Sequence, residues 1–305
     1  IKKLSRRYFK ASKSRNIIAI VAIILTTVLF TTIFTLGSGL IDTVQDQNIR
    51  RMGGDGQAVL NYISDEVFDD VKDNELIDRI AYTKAVSYHL NNPGLAKWRS
   101  DMWYMDDTAL EFARYEPTTG HRPEAENEII ADTKTLEALG VPAEIGATVT
   151  LNYEIKGKEY TTDFELCGFW ETDSLSNIGR IIVSKAFIDN HADLLTYTYP
   201  VDNDYSGVVT AYIMFRGGGS VEEKLQQLLT ETGYTCDTLG GQPTDENYII
   251  ARVSPAYQSS PISENPALFI VGIVGILTIM ATGYLIIYNI FQISVIQDIQ
   301  SYGQL

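Results

Sequence analysis

Two stretches of the chain carry no charged side chain over the length of a lipid bilayer. Ile17 to Leu36 runs for twenty residues with only Thr26, Thr27, Thr31, Thr32 and Thr35 interrupting its hydrocarbon character. At about 1.5 Å per residue it matches the roughly 30 Å of a bilayer core, so a membrane helix is expected over 17–40. Asn265 to Gln297 is a second charge-free stretch, longer than a membrane is thick, with Asn265 as its cap and Pro266 at its first position. In the first sixteen residues Ile1, Leu4, Tyr8 and Phe9 recur at helical spacing among Lys and Arg, which suits a helix in the membrane interface. After the first apolar stretch, helical periodicity continues as a stalk over 41–54 and stops at Gly53-Gly54.

The middle of the chain has the mixed periodicity of an α+β domain. Gln57–Ile63 predicts a strand, Ser64 the cap of a helix to about Val71, and Tyr82–Leu90 a second strand. A similar order recurs as the strand Val208–Phe215, the glycines 217–219, the helix Val221–Glu231 and a strand-like Tyr234–Thr238. These predict one split β-α-β element at each end of the domain, with a strand-rich insert between them. Within the insert, Ile129–Ala131, Thr148–Ile155, Tyr160–Phe169 and Arg180–Ser184 alternate like strands, and Lys156-Gly157-Lys158 suits a hairpin turn. Thr133–Leu139 is a short helix ended by Gly140, and the Ser- and Pro-rich 254–266 is the link to the second apolar stretch.

Charge orients this arrangement. The 305 residues carry 24 basic and 39 acidic side chains, a net charge of -15. Seven of the basic residues, from Lys2 to Arg15, precede the first apolar stretch with no acid among them, and beyond Asn265 the sole charge is Asp298. The middle therefore holds about -21, and the positive-inside bias puts residues 1–16 in the cytoplasm and 41–264 outside it. A multi-pass protein of the plasma (inner) membrane is expected, with the lipid bilayer as one partner. An acidic exterior repels nucleic acid, which removes that partner class. A cleaved signal peptide is the competing reading of 17–36, against which stand its length and the lack of an A-x-A site. The absence of an initiator Met and the end at Leu305 suggest a piece of a longer protein. Cys167 and Cys236 both fall in the exported part, as buried free thiols or as a disulfide pair.

Few motifs carry chemistry. Arg216-Gly217-Gly218-Gly219-Ser220 joins strand to helix but lacks the G-K-[ST] of a phosphate loop, and Ser220 with Glu223 reads instead as a capping box. The acidic run from Asp65 to Asp78 lacks calcium-loop spacing and suits a solvated helix face. His89, His121 and His191 are far apart, without a Cys at ligand spacing. No catalytic, cofactor-binding or metal residue is expected. Trp98, Trp103 and Tyr104 could line a ligand cleft or pack a core. Gly272, Gly275, Thr282 and Gly283 share one face of the second apolar stretch, where small residues let a neighbouring helix approach; glycine is also simply frequent in membrane helices.

The order of several segments resembles the FtsX/MacB-like family of ABC transporter permeases. Leu4-Ser5-Arg6-Arg7 through Asn16 is similar to the family's entry segment. Gly120-His121-Arg122-Pro123, Asn127-Glu128-Ile129-Ile130, Gly146 with Val149-Thr150-Leu151, Phe164 to Phe169 around Gly168, and Ile181-Ile182-Val183-Ser184 follow in the family's order. Tyr288-Asn289-Ile290-Phe291 into Tyr302-Gly303-Gln304-Leu305 is similar to the place where such permeases leave the membrane. The resemblance implies a non-catalytic transport subunit whose residues 298–305 begin the contact with an ATPase, through Asp298, Tyr302, Gly303 and Leu305. ATP and Mg would then sit on the partner subunit, a second permease half or a homodimer would complete the membrane part, and a cationic peptide or lipid-linked molecule would be the substrate. A two-span receptor or sensor with a ligand-binding ectodomain is the alternative.

Overall fold

The computed structural model describes residues 54–255 and 257, together with 17, 20, 21, 23–32, 34, 35, 49, 274–285, 288, 291, 292, 295, 296 and 299. The chain divides into two units, one formed by its ends (1–44 and 259–305) and one by its middle (45–258).

In the middle unit, local sequence rules set most boundaries. Strand β1 (Ala58–Ile63) ends where Ser64 turns to cap helix α1 (Asp65–Val71), its hydroxyl accepting from Val67 N at 3.3 Å. Strand β2 (Ile77–Ser87) follows, starting five residues before the expected Tyr82 and ending three before Leu90. Strand β9 (Val209–Phe215) leads to helix α6 (Val221–Thr232), where Ser220 Oγ accepts from Glu223 N at 3.2 Å and Gly233 closes the end at φ +81°. The expected strand Tyr234–Thr238 does not form; Thr235 makes a single bridge to Tyr248, and the closing strand is β10 (Ile250–Val253).

These strands lie side by side in the order β10-β1-β9-β2, each antiparallel to its neighbour. The two β-α-β elements are therefore interleaved in one four-stranded sheet, a ferredoxin-like arrangement, rather than standing apart at the two ends of the domain. Leu60, Ile63, Ile213, Leu225, Leu228 and Leu229 form its core between sheet and helices, each at most 2 % exposed.

The same sheet continues through the insert as β3-β8-β5-β7-β4, with β6 also paired to β7. Strand β3 (Ser100–Met105), absent from the sequence reading, runs antiparallel to β2 and parallel to β8 (Gly179–Val183). Strand β5 (Glu128–Asp132) lies between β8 and β7 (Lys158–Trp170), and the two-residue β4 (Thr119–Gly120) pairs with the far end of β7. The hairpin from β6 (Thr148–Ile155) to β7 turns at Lys156 (φ +50°) and Gly157 (φ +74°), where two positive φ values match the twist of the strands. Helices α2 (Asp107–Ala113), α3 (Thr133–Leu139), α4 (Lys185–Asn190) and α5 (Tyr199–Asp202) decorate the insert, with Met102, Ile129, Leu151, Phe164, Leu166 and Phe187 in its main core. The α+β class with a strand-rich insert is thus as expected. Cys167 and Cys236 are both buried and unpaired.

In the unit formed by the chain ends, residues 23–32 and 274–285 are helical and present exposed apolar side chains such as Leu25 and Met280. Hydroxyls bond within the helix, Thr27 to Ile23 O and Thr282 to Thr278 O, each at 2.8 Å, so these polar groups present little to an apolar surrounding. A Cβ on Gly283 would come 2.7 Å from Thr26 Cγ2, so the two segments touch there; around Gly275 nothing lies within 4 Å of such an atom. Among the described residues no helix is long and apolar enough to cross a membrane. Residues 1–16, the cap at Asn265 and Pro266, Gly272, Asp298, Tyr302, Gly303 and Leu305 lie outside the described residues.

Candidate functional site

The three aromatic residues singled out in the sequence do not share a face. Trp103 and Tyr104 are consecutive in β3 and so point to opposite sides of the sheet. Trp103 is buried against Ile130, Cys167, Trp170 and Ile182, edge-on to Tyr88 at 5.2 Å, and its Nε1–H has no acceptor among the described residues. Tyr104 packs toward the insert's main core, and burial pushes its hydroxyl up to about 12. Trp98 precedes the strand; its Nε1 donates to Thr135 Oγ1 at 3.1 Å, and Lys134 Nζ sits 3.7 Å above the ring.

A cavity of about 350 Å³ lies instead where β5 and β7 end and β8 begins, lined by Arg114, Tyr115, Asp132, Trp170, Thr172 and Arg180 among others. The charges at and beside it follow from strand register. Asp101 of β3 lies directly opposite Arg180 of β8, and β8 is also paired with β5, which ends at Asp132. Arg180 Nη1 donates to Asp101 Oδ2 at 2.9 Å, while Arg99 Nε reaches Asp101 Oδ1 at 3.3 Å. Asp101 is 2 % exposed, and burial raises its pKa despite both guanidinium groups.

Asp132 is bonded more completely. As the cap of α3 it accepts from Thr135 N at 3.0 Å and from Thr135 Oγ1 at 2.6 Å. Thr172 Oγ1 adds a third bond at 2.7 Å and Arg180 N a fourth at 2.9 Å, so both carboxylate oxygens are satisfied. Tyr115 and Trp170 stack at 5.1 Å and 23° to form the aromatic wall, and burial raises the Tyr115 hydroxyl. An aromatic wall beside an arginine and a bonded carboxylate can hold a ligand with one flat apolar part and one polar part. The sequence showed only the start of α3 here, because Asp132 is 40 positions from Thr172 and 48 from Arg180.

No family model matches the chain, and no curated protein matches it. Among solved structures it is similar to the extracellular domain of the noncanonic ABC-type transporter YknZ from Gram-positive bacteria, at 11% identity, covering 65% of this chain and 99% of that one, with a TM-score of 0.40. It is also similar to the periplasmic region of MacB from Actinobacillus actinomycetemcomitans, at 13% identity, covering 68% of this chain and 92% of that one, with a TM-score of 0.39. The second gives its name to the family that the sequence resembles. At such identities and scores neither likeness bears on what this chain does.

Proposed function

We propose that the chain is a component of an ABC-type transporter permease, with 17–40 and 265–297 crossing the plasma membrane and 55–264 on its outer side. The observation that carries this reading is the way the chain enters and leaves its middle unit. It enters through β1 and leaves through β10, and those strands are hydrogen-bonded neighbours, with Ala58 opposite Val253 and Ser254 N donating to Gln57 O at 2.8 Å. A displacement between two membrane helices would therefore act on a single strand pair of the sheet, which suits a domain moved through its two ends. The close approach of Gly283 to Thr26 supports a packed pair of helices.

In this reading a separate ATPase supplies the motion, through contacts that begin at Asp298, Tyr302, Gly303 and Leu305, and the exterior handles a cationic peptide or lipid-linked molecule. Its surplus of acidic side chains favours a cationic partner by long-range attraction. The test is to purify the full-length protein from its own membrane, identify a co-purifying ATPase and measure ATP hydrolysis. Asp298→Lys combined with Gly303→Pro is expected to weaken both association and hydrolysis. Association and hydrolysis unchanged by the pair would sink the ATPase contact, and a kinase or coiled signalling module in place of an ATPase would favour a sensor.

A further inference from the structure

Gly120 of β4 pairs opposite Gly168 of β7, and the two backbones run unusually close there. A Cβ on Gly168 would come 2.6 Å from His121 O, so a larger residue could not sit at this crossing. His121 N donates to Cys167 O at 3.0 Å, and on the other side of β7 Cys167 Sγ lies 3.3 Å from Ile129 O of β5. Three adjacent strands thus bring His121, Glu128 and Cys167 together, and one donor atom from each lies within 4.8 Å of the other two. Their separations of 7 and 39 positions match no ligand motif, which is why the sequence reading found no Cys partner for His121.

We propose that His121, Glu128 and Cys167 bind a divalent transition metal ion of the zinc class, with one position left open to water. Backbone contacts hold two of the three side chains in place, and the Cys167 thiol, which lies against the carbonyls of His121 and Ile129, would exchange these for the ion. His121 Nδ1 lies 2.8 Å from Arg122 O, so Nδ1–H donates to a carbonyl and Nε2 keeps its lone pair, the arrangement in which histidine ligates metals. Glu128 Oε2 accepts from Glu124 N at 2.7 Å and Ala125 N at 2.9 Å, which fixes the carboxylate and leaves Oε1 available. Cys167 supplies the soft ligand that selects zinc-like ions over magnesium and calcium. A tetrahedral ion with bonds of about 2.0–2.3 Å holds its donors about 3.5 Å apart, so the three must close by about 1 Å. His121 is exposed and Glu128 half-buried, so both have room to make that movement.

Glu128 of β5 lies opposite Glu165 of β7, two residues from Cys167, so acids surround the group. The same acidic surroundings favour a cation. Cobalt(II) titrated into the full chain in detergent is the direct test, because thiolate coordination produces a charge-transfer absorption band. Saturation at one ion per chain, displacement by zinc, loss of the band in Cys167→Ser and its retention in Cys236→Ser are expected. His121→Ala should weaken affinity by at least about tenfold. Absence of the band in the wild type, or its survival in Cys167→Ser, would overturn the proposal. Should Cys167→Ser not fold, His121→Ala decides alone, since its side chain is exposed and unchanged affinity would exclude it as a ligand.

Discussion

The four-stranded part of the sheet and the insert it carries are held together differently. In the first, Leu60, Ile63, Leu228 and Leu229 meet between strands and helices, and its buried cation, Lys84, reaches outward to the half-exposed Asp65 at 2.7 Å. In the insert, two carboxylates at 2–3 % exposure sit among the strands, tied by Arg180, Thr135 and Thr172. Apolar packing is tolerant of small shifts, whereas a buried polar network is worth little unless every member is bonded. The insert's strand register is therefore fixed by directional bonds, next to the cavity, while the four-stranded part serves as the frame to which both chain ends attach.

This contrast predicts different sensitivities, all readable as denaturant unfolding of the full chain in detergent. Asp132→Ala should have the largest effect, about 3–5 kcal/mol, because it strands four donors in a buried place. Leu228→Ala in the frame should cost about 3 kcal/mol by cavity formation. If the order were reversed, with the aspartate variant near wild type, the insert would be an apolar core like the other. Gly179→Ala sharpens the point at about 1–3 kcal/mol, since its Cβ would run into Thr135 Oγ1 and Ser100 Oγ of the network and come 2.6 Å from Trp98 Nε1. Ser220→Ala, a surface cap in the frame, should cost about 1 kcal/mol.

What the sequence revealed follows the same division. The hairpin β6–β7 was legible because Val149, Leu151, Tyr153 and Ile155 alternate inward without exception and a Lys-Gly pair marks the turn. Caps at Ser64 and Ser220 were legible because they bind within three residues. Strand β3 was hidden because its apolar run, Met102 to Met105, is only four residues long and follows Asp101, an aspartate whose partner Arg180 lies 79 positions away. Strand β10 was hidden because four residues with an outward Arg252 give no period to count. The cavity and the His121–Glu128–Cys167 group were illegible for one reason: sheet pairing, not sequence spacing, assembles them.

The smallest expected effect is the most specific to the network. Burial holds the folded pKa of Asp101 above its unfolded value of about 3.9, outweighing Arg180 and Arg99. A group of this kind contributes stability that is complete below the unfolded pKa and is lost as pH rises through the folded one. Asp101→Asn is neutral at every pH and lacks that loss, while other carboxylates titrate alike in both proteins. The stability of Asp101→Asn relative to wild type should therefore rise from pH 4 to pH 7, by less than the effects above. A relative stability that falls over that range would mean that the two arginines outweigh burial, and that the insert is held by its ion pair rather than by the hydrogen bonds of Asp132.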